Sequence, residues 1–145
     1  MASKFDAEKA ENLGDIEMQF AVKAVTQAET YWGLLEKIPG SKLKLTKFDD
    51  DIFEQLLIDF PEFKDPSNVV EVQEEEMKSK EGKEKWRAFC EKFNEIEDYN
   101  FGTLLRTKCT DEYTQHGTIF VVRIQFYAFE IARNRYGLND WVSKK

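Results

Sequence analysis

The stretch "TIFVVRIQFYAFEIARNRYG", residues 118–137, decides the fold. Its first five residues, "TIFVV", favour extended structure locally, because β-branched and aromatic side chains suit a pleated surface. The remainder favours a helix that stops at Gly137. We read helix through most of the segment and leave a short β start open. At 100° per residue, Arg123, Tyr127, Glu130 and Asn134 fall within about 60° of one another. Ile124, Ala128, Phe129, Ile131 and Ala132 take most of the remaining circumference, with Phe126 beside the polar line. A helix apolar nearly all round with one narrow polar strip is a largely buried element.

Two readings of that strip follow. In the first, it is a satisfied polar network that fixes how the helix docks, because an unpaired buried charge is expensive. In the second, it borders a groove where Arg106, Arg123 and Arg133 meet an acidic or backbone-rich segment of a partner. The candidate partner-binding residues are therefore Arg106, Arg123, Tyr127, Glu130 and Arg133. Arg123 and Glu130 stand about 10 Å apart along the axis and are not expected to pair directly.

Outward from this helix, the pattern is mostly helical. Ile16, Phe20, Ala24, Ala28, Trp32 and Leu35 recur at three- and four-residue steps, with Asp15 as a candidate cap and Pro39-Gly40 as the stop. Thr46-Lys47-Phe48-Asp49 resembles a capping box, with Asp in place of Glu. It opens a helix whose face is Phe48, Ile52, Leu56 and Phe60, ending at Pro61. The polar stretch 64–85 reads as a solvated helix face or a loop, with Glu74 to Glu76 set for i,i+4 pairing to Lys78 and Lys80. Trp86, Phe89, Cys90, Phe93 and Ile96 form the next apolar stripe. Asn100 and Gly102 mark a turn, and Thr103–Thr107 fits either a strand or a short helix. The expected fold is predominantly α, one multi-helix domain over residues 13–142, with a short β element left open at 103–107 and 118–122. Residues 1–12 are expected to be a flexible start.

The chain has 145 residues and a formal charge of −7. Twelve Phe and three Trp supply enough bulk for a core without disulfides or a structural metal. The charge is uneven, since residues 101–145 carry seven bases against four acids. An acidic body disfavours nucleic acid as the main partner, because phosphates are held by clustered Lys and Arg. It suits basic protein surfaces instead. Two cysteines, Cys90 and Cys109, with no CxxC spacing, fit a reducing compartment. No apolar run approaches a membrane span and no signal core is present, so a cytoplasmic location is expected, with nuclear entry open at this size.

Signatures of catalysis are sparse. The seven glycines lie far apart, at 14, 33, 40, 82, 102, 117 and 137, so no phosphate-cradling loop is available. The single His116 sits in a polar loop and reads as a loop residue, not as half of a Cys109/His116 dyad. Asp49, Asp50 and Asp51 diverge around a helix and cannot converge on one cation. No catalytic residue, cofactor site or metal site is expected.

"EDYNFGTLLRT", "FVVRIQFYAFEIARNRYGLNDW" and "QAETYWGLLEKIPGSKLKLTKFDDDIFEQLLIDFPEF" together resemble the polysaccharide biosynthesis domain-containing protein 1 family, in its short fungal form, over about Phe5 to Trp141. The family name implies polysaccharide synthesis, through a profile shared with xylan-modifying methyltransferases. The resemblance otherwise implies a dedicated chaperone of translation elongation factor 1-alpha. Such a chaperone engages the nascent GTP-binding domain near the ribosome, in concert with the nascent polypeptide-associated complex. It implies an ATP-independent, non-enzymatic, monomeric protein, with an enzyme or accessory factor of polysaccharide synthesis as the alternative.

Overall fold

The computed structural model describes residues 7–114 and 116–144, with side chains from residue 22 onward. Six helices and two strands follow in the order α1 (Ala7–Lys37), α2 (Asp49–Asp59), α3 (Ser67–Val70), α4 (Glu74–Lys78), α5 (Lys80–Glu91), β1 (Gly102–Arg106), β2 (Thr118–Val122) and α6 (Arg123–Arg135). Three 3-10 turns, at Gly40–Lys42, Pro61–Lys64 and Asp140–Lys144, join or finish them. The fold is predominantly α with one short antiparallel hairpin, in which Gly102 pairs with Val122 and Arg106 with Thr118.

Segment 118–137 divides at Val122. The strand runs straight into α6, because the Gln125 side chain reaches back to accept from the Val122 amide at 3.0 Å. That bond satisfies an amide at the helix start, where no intrahelical carbonyl is available. The helix ends as expected at Gly137, whose φ of 75° lies in the left-handed region that glycine tolerates. There the Leu138 amide donates to the Arg133 carbonyl at 2.8 Å, closing a Schellman-type turn. Nine of the thirteen α6 residues are buried, and α6 packs on α2, α3, α5 and both strands.

α1 begins at Ala7, ahead of the expected cap at Asp15. The start expected to be flexible falls partly on residues 1–6, which lie outside the described residues, as do the side chains of Ile16 and Phe20. The core face of α1 is Ala24, Ala28, Tyr31 and Leu35, so Tyr31 takes the buried place expected for Trp32. Steps of four, three and four keep these residues within about 60° of one another, and Trp32, about 100° from Tyr31, falls at the edge of that face.

At the start of α2, Asp49 accepts from the Thr46 amide at 2.8 Å, and Thr46 Oγ1 accepts from the Phe48 amide at 3.2 Å. Only the Asp49 half of the capping box read from the sequence forms: Thr46 Oγ1 takes the Phe48 amide in place of the Asp49 amide, and α2 itself starts at Asp49 with no side-chain cap. Stretch 64–85 is ordered as α3, α4 and the start of α5. The expected i,i+4 pair forms between Lys78 and Glu74 at 2.6 Å, while Val69 and Met77 turn inward. Ser79 caps α5 by accepting from the Gly82 amide at 3.0 Å. Beyond Glu91 the apolar stripe continues through turns, which bury Phe93 and Ile96. Trp86 is stacked on Phe60 with ring centroids 4.3 Å apart and on Phe129 at 5.6 Å. Contacts of this kind add about 0.5–1.5 kcal/mol each beyond area burial.

Candidate functional site

The polar strip of α6 divides when its side chains are placed. Glu130 is fully buried, and four side chains donate to its carboxylate. They are Tyr31 at 2.7 Å, Arg133 at 2.9 Å, Asn139 at 2.9 Å and Arg106 at 3.2 Å. Arg106 and Arg133 are themselves 0% exposed. Two guanidinium groups therefore share one carboxylate, backbone carbonyls and the Asn139 side-chain oxygen take up most of the other donors, and Arg106 Nε is buried without a partner. Arg106 donates to the carbonyls of Cys109 and Asp111, and Arg133 to those of Val69 and Arg106. Asn139 bridges Glu130 to Asn134.

Burial alone drives the Glu130 pKa up. The charges of Arg106 and Arg133, with hydrogen bonds from Tyr31 and Asn139, outweigh it and hold the carboxyl below its ordinary range. Burial first, then the Glu130 charge, raises the Tyr31 pKa well above normal, so the hydroxyl stays a donor.

Of the five residues singled out from the sequence, Arg106, Glu130 and Arg133 meet in this closed cluster and expose no atom to a partner. Their placement is that of the satisfied network and corrects the groove reading for these three. Arg123 and Tyr127 are half-buried and lie outside the cluster, with Arg123 donating to Gln27 on α1 at 2.8 Å. Tyr31 and Asn139 were missed, because their link to Glu130 is purely tertiary and leaves no local spacing.

The remaining chemical candidates do not assemble. Cys109 is 1% exposed with its thiol pKa raised by burial, whereas His116 is exposed in a turn. Asp49 accepts from the Leu45 and Thr46 amides, and Asp50 pairs with Arg135. Among the described residues, no three of His, Cys, Asp or Glu come together to hold a metal ion. No described helix is long and apolar enough to cross a membrane.

A groove of about 840 Å³ opens between α1 and the hairpin. Val25, Ala28 and Trp32 of α1 form one wall, and Leu104 and Phe120, a cross-strand pair, form the other. Tyr113 closes one side, edge-on to Trp32 at 5.8 Å and 90°. Glu29 and Glu112 are the charged residues of its lining among the described residues. Behind the aromatic corner stands Arg106, its guanidinium 5.3 Å from the Trp32 ring centre and 5.7 Å from that of Tyr113. Arg106 therefore belongs to the support of the groove and not to its surface. Trp32 was expected in the core, and its displacement by Tyr31 is what puts an indole here.

An α-rich domain with a buried ionic cluster and an open apolar groove is the class that these features define. The model of the family described as "PBDC1 protein" matches residues 16–144, and the chain belongs to that family. It is 63% identical to the Protein PBDC1 homolog of Schizosaccharomyces pombe, covering 99% of each chain. It is 47% identical to human Protein PBDC1, covering 97% of this chain and 59% of the human one. A solution NMR structure of a Saccharomyces cerevisiae protein, 62% identical, superposes with a TM-score of 0.86 over 99% of both chains.

Proposed function

We propose that this chain is a non-enzymatic, ATP-independent chaperone dedicated to newly made translation elongation factor 1-alpha. It acts as a monomer in the cytoplasm, beside the ribosome and the nascent polypeptide-associated complex, on the factor's GTP-binding domain. The observation that carries the reading is the open groove between α1 and the hairpin, apolar within and acidic at its rim. Exposed apolar surface on a small domain marks an interaction site, and an acidic rim favours encounter with a basic chain. The ionic cluster of Arg106, Glu130 and Arg133 is buried and offers no surface to a client, so the groove is where a client would be met. The alternative carried by the family name is a role in polysaccharide synthesis. The scattered glycines form no glycine-rich loop for a methyl-donor cofactor, and a sugar would have to use the aromatic side chains of the same groove, Trp32 and Phe120.

Affinity capture from translating cells tests the proposal. Recovery of ribosome-bound elongation factor chains supports it, and recovery of glycan-synthesising enzymes alone sinks it. Saturable binding of a nucleotide sugar or S-adenosylmethionine to the pure protein would favour the alternative. Removal of the protein from cells should lower the soluble pool of the elongation factor.

A further inference from the structure

We infer that the groove between α1 and the hairpin takes a basic amphipathic segment, with apolar side chains seated between Val25, Trp32 and Phe120 and a Lys or Arg turned toward Glu29. The identity of that segment as part of the client rests on the chaperone reading, but the binding chemistry does not. Val25, Glu29 and Trp32 follow one another at four and three residues along α1, a wall about 10 Å long. That length matches two turns of a facing helix, which presents apolar anchors at i, i+3 or i+4, and i+7.

Both walls are open to receive it. Val25 is 47% exposed and Phe120 54%, unusual values for large apolar side chains that face each other across a cleft. The rim selects the sign of the occupant. With Glu29 on its α1 wall and no Lys or Arg among the described lining residues, phosphate backbones and anionic headgroups are disfavoured. A second copy of this chain, at net −7, is disfavoured for the same reason.

The walls are also held in place before anything binds. Arg106 fixes the loop that carries Glu112 and Tyr113 by donating to the carbonyls of Cys109 and Asp111. The Trp141 indole donates to the same Cys109 carbonyl at 2.9 Å. Ordering is therefore complete in the free protein, which removes one of the main costs of association.

The test uses the full chain and a short fluorescein-labelled peptide of Leu and Lys at helical spacing, read by anisotropy. Saturable one-to-one binding that weakens with salt is expected. Glu29→Lys and Phe120→Ser should each weaken it about tenfold, with melting temperatures close to the parent because both side chains are exposed. A Leu/Glu peptide should bind Glu29→Lys better than it binds the parent. Glu75→Lys, on the outer side of α4, should leave the affinity unchanged.

Equal binding by parent, Glu29→Lys and Phe120→Ser overturns the assignment, and so does equal weakening by Glu75→Lys, which would mean diffuse charge attraction. Newly made elongation factor in a translation extract separates the two levels. If the parent chain keeps the factor soluble and both groove variants do so equally well, the groove is not the client site and this inference fails alone. If the parent chain has no effect on solubility while the peptide still maps to Glu29 and Phe120, the chaperone reading falls and the groove stands.

Discussion

Replacing Glu130 with Ala should cost this protein about 4 kcal/mol of stability. Glu130 is the counter-charge of both Arg106 and Arg133, and all three side chains are fully buried. Removing one partner of a buried ion pair typically costs about 3–5 kcal/mol, because the charge left behind cannot return to water. Here two guanidinium groups lose their carboxylate at once, and the Tyr31 hydroxyl and Asn139 amide lose an acceptor. Each such loss adds roughly 1 kcal/mol, although the contributions are not additive. The backbone carbonyls around Arg106 and Arg133 remain and hold the total near the middle of the range. A domain of this size is stable by about 5–15 kcal/mol, so the change removes a large share.

Urea unfolding followed by circular dichroism is the assay. With a slope of about 2 kcal/mol/M, the midpoint should fall by about 2 M. Glu130→Gln should fall nearly as far, since it keeps the shape and loses the charge. Arg123→Ala is the comparison, because a half-buried side chain with one hydrogen bond to Gln27 should cost only about 1 kcal/mol. A loss below about 1 kcal/mol for Glu130→Ala, with client capture abolished, would refute the structural account and restore the strip as a binding surface.

The same carboxylate sets a pH dependence. Its folded pKa lies below the unfolded value, so its stabilisation is complete above about pH 4.3 and is lost as pH falls through the folded pKa. Acid titration of the parent should therefore show a destabilisation below that pH that Glu130→Gln largely lacks. Gly82→Ala on α5 should destabilise by about 1–3 kcal/mol, although helix propensity alone favours Ala by about 1 kcal/mol. A Cβ there would stand 2.0 Å from the Glu76 carbonyl oxygen, and thermal melts give the sign. Burial, aided by Glu91, pushes the Cys90 thiol up to about 12, so iodoacetamide at pH 8 should label it only after denaturant is added. Rapid labelling of the native protein would contradict its place in the core.

What the sequence made legible was what local periodicity encodes. The stripes of α2 and α5, the Asp49 bond back to the Thr46 amide and the stop at Gly137 are each written within one or two helical turns. The β start of segment 118–137 stayed open because short apolar runs of β-branched residues fit a buried helix equally well. The polar line on α6 was visible, but its meaning depended on residues up to 103 positions away, as Tyr31 is from Asn134. The choice between Tyr31 and Trp32 as the buried aromatic of α1 turned on a rotation of one residue. Both are large, and only the packing of β1 and Glu130 against the helix decides between them. The groove was invisible for that reason, since its key wall residue was expected inside.

The distribution of the ionic cluster along the chain has a consequence for synthesis. Arg106 cannot be neutralised until Glu130 exists, and Glu130 is not fully clothed until Asn139 follows it. Tyr31, made early, waits for both, and Trp32 likewise waits for Trp141, its edge partner at 6.0 Å. Contacts this distant in sequence form late and slowly. On a translating ribosome, the chain must therefore release everything through β1 before its first helix finds a permanent neighbour, and the rest before that contact is complete. A protein proposed to attend other chains during their synthesis is itself one that completes its fold only at the end of its own.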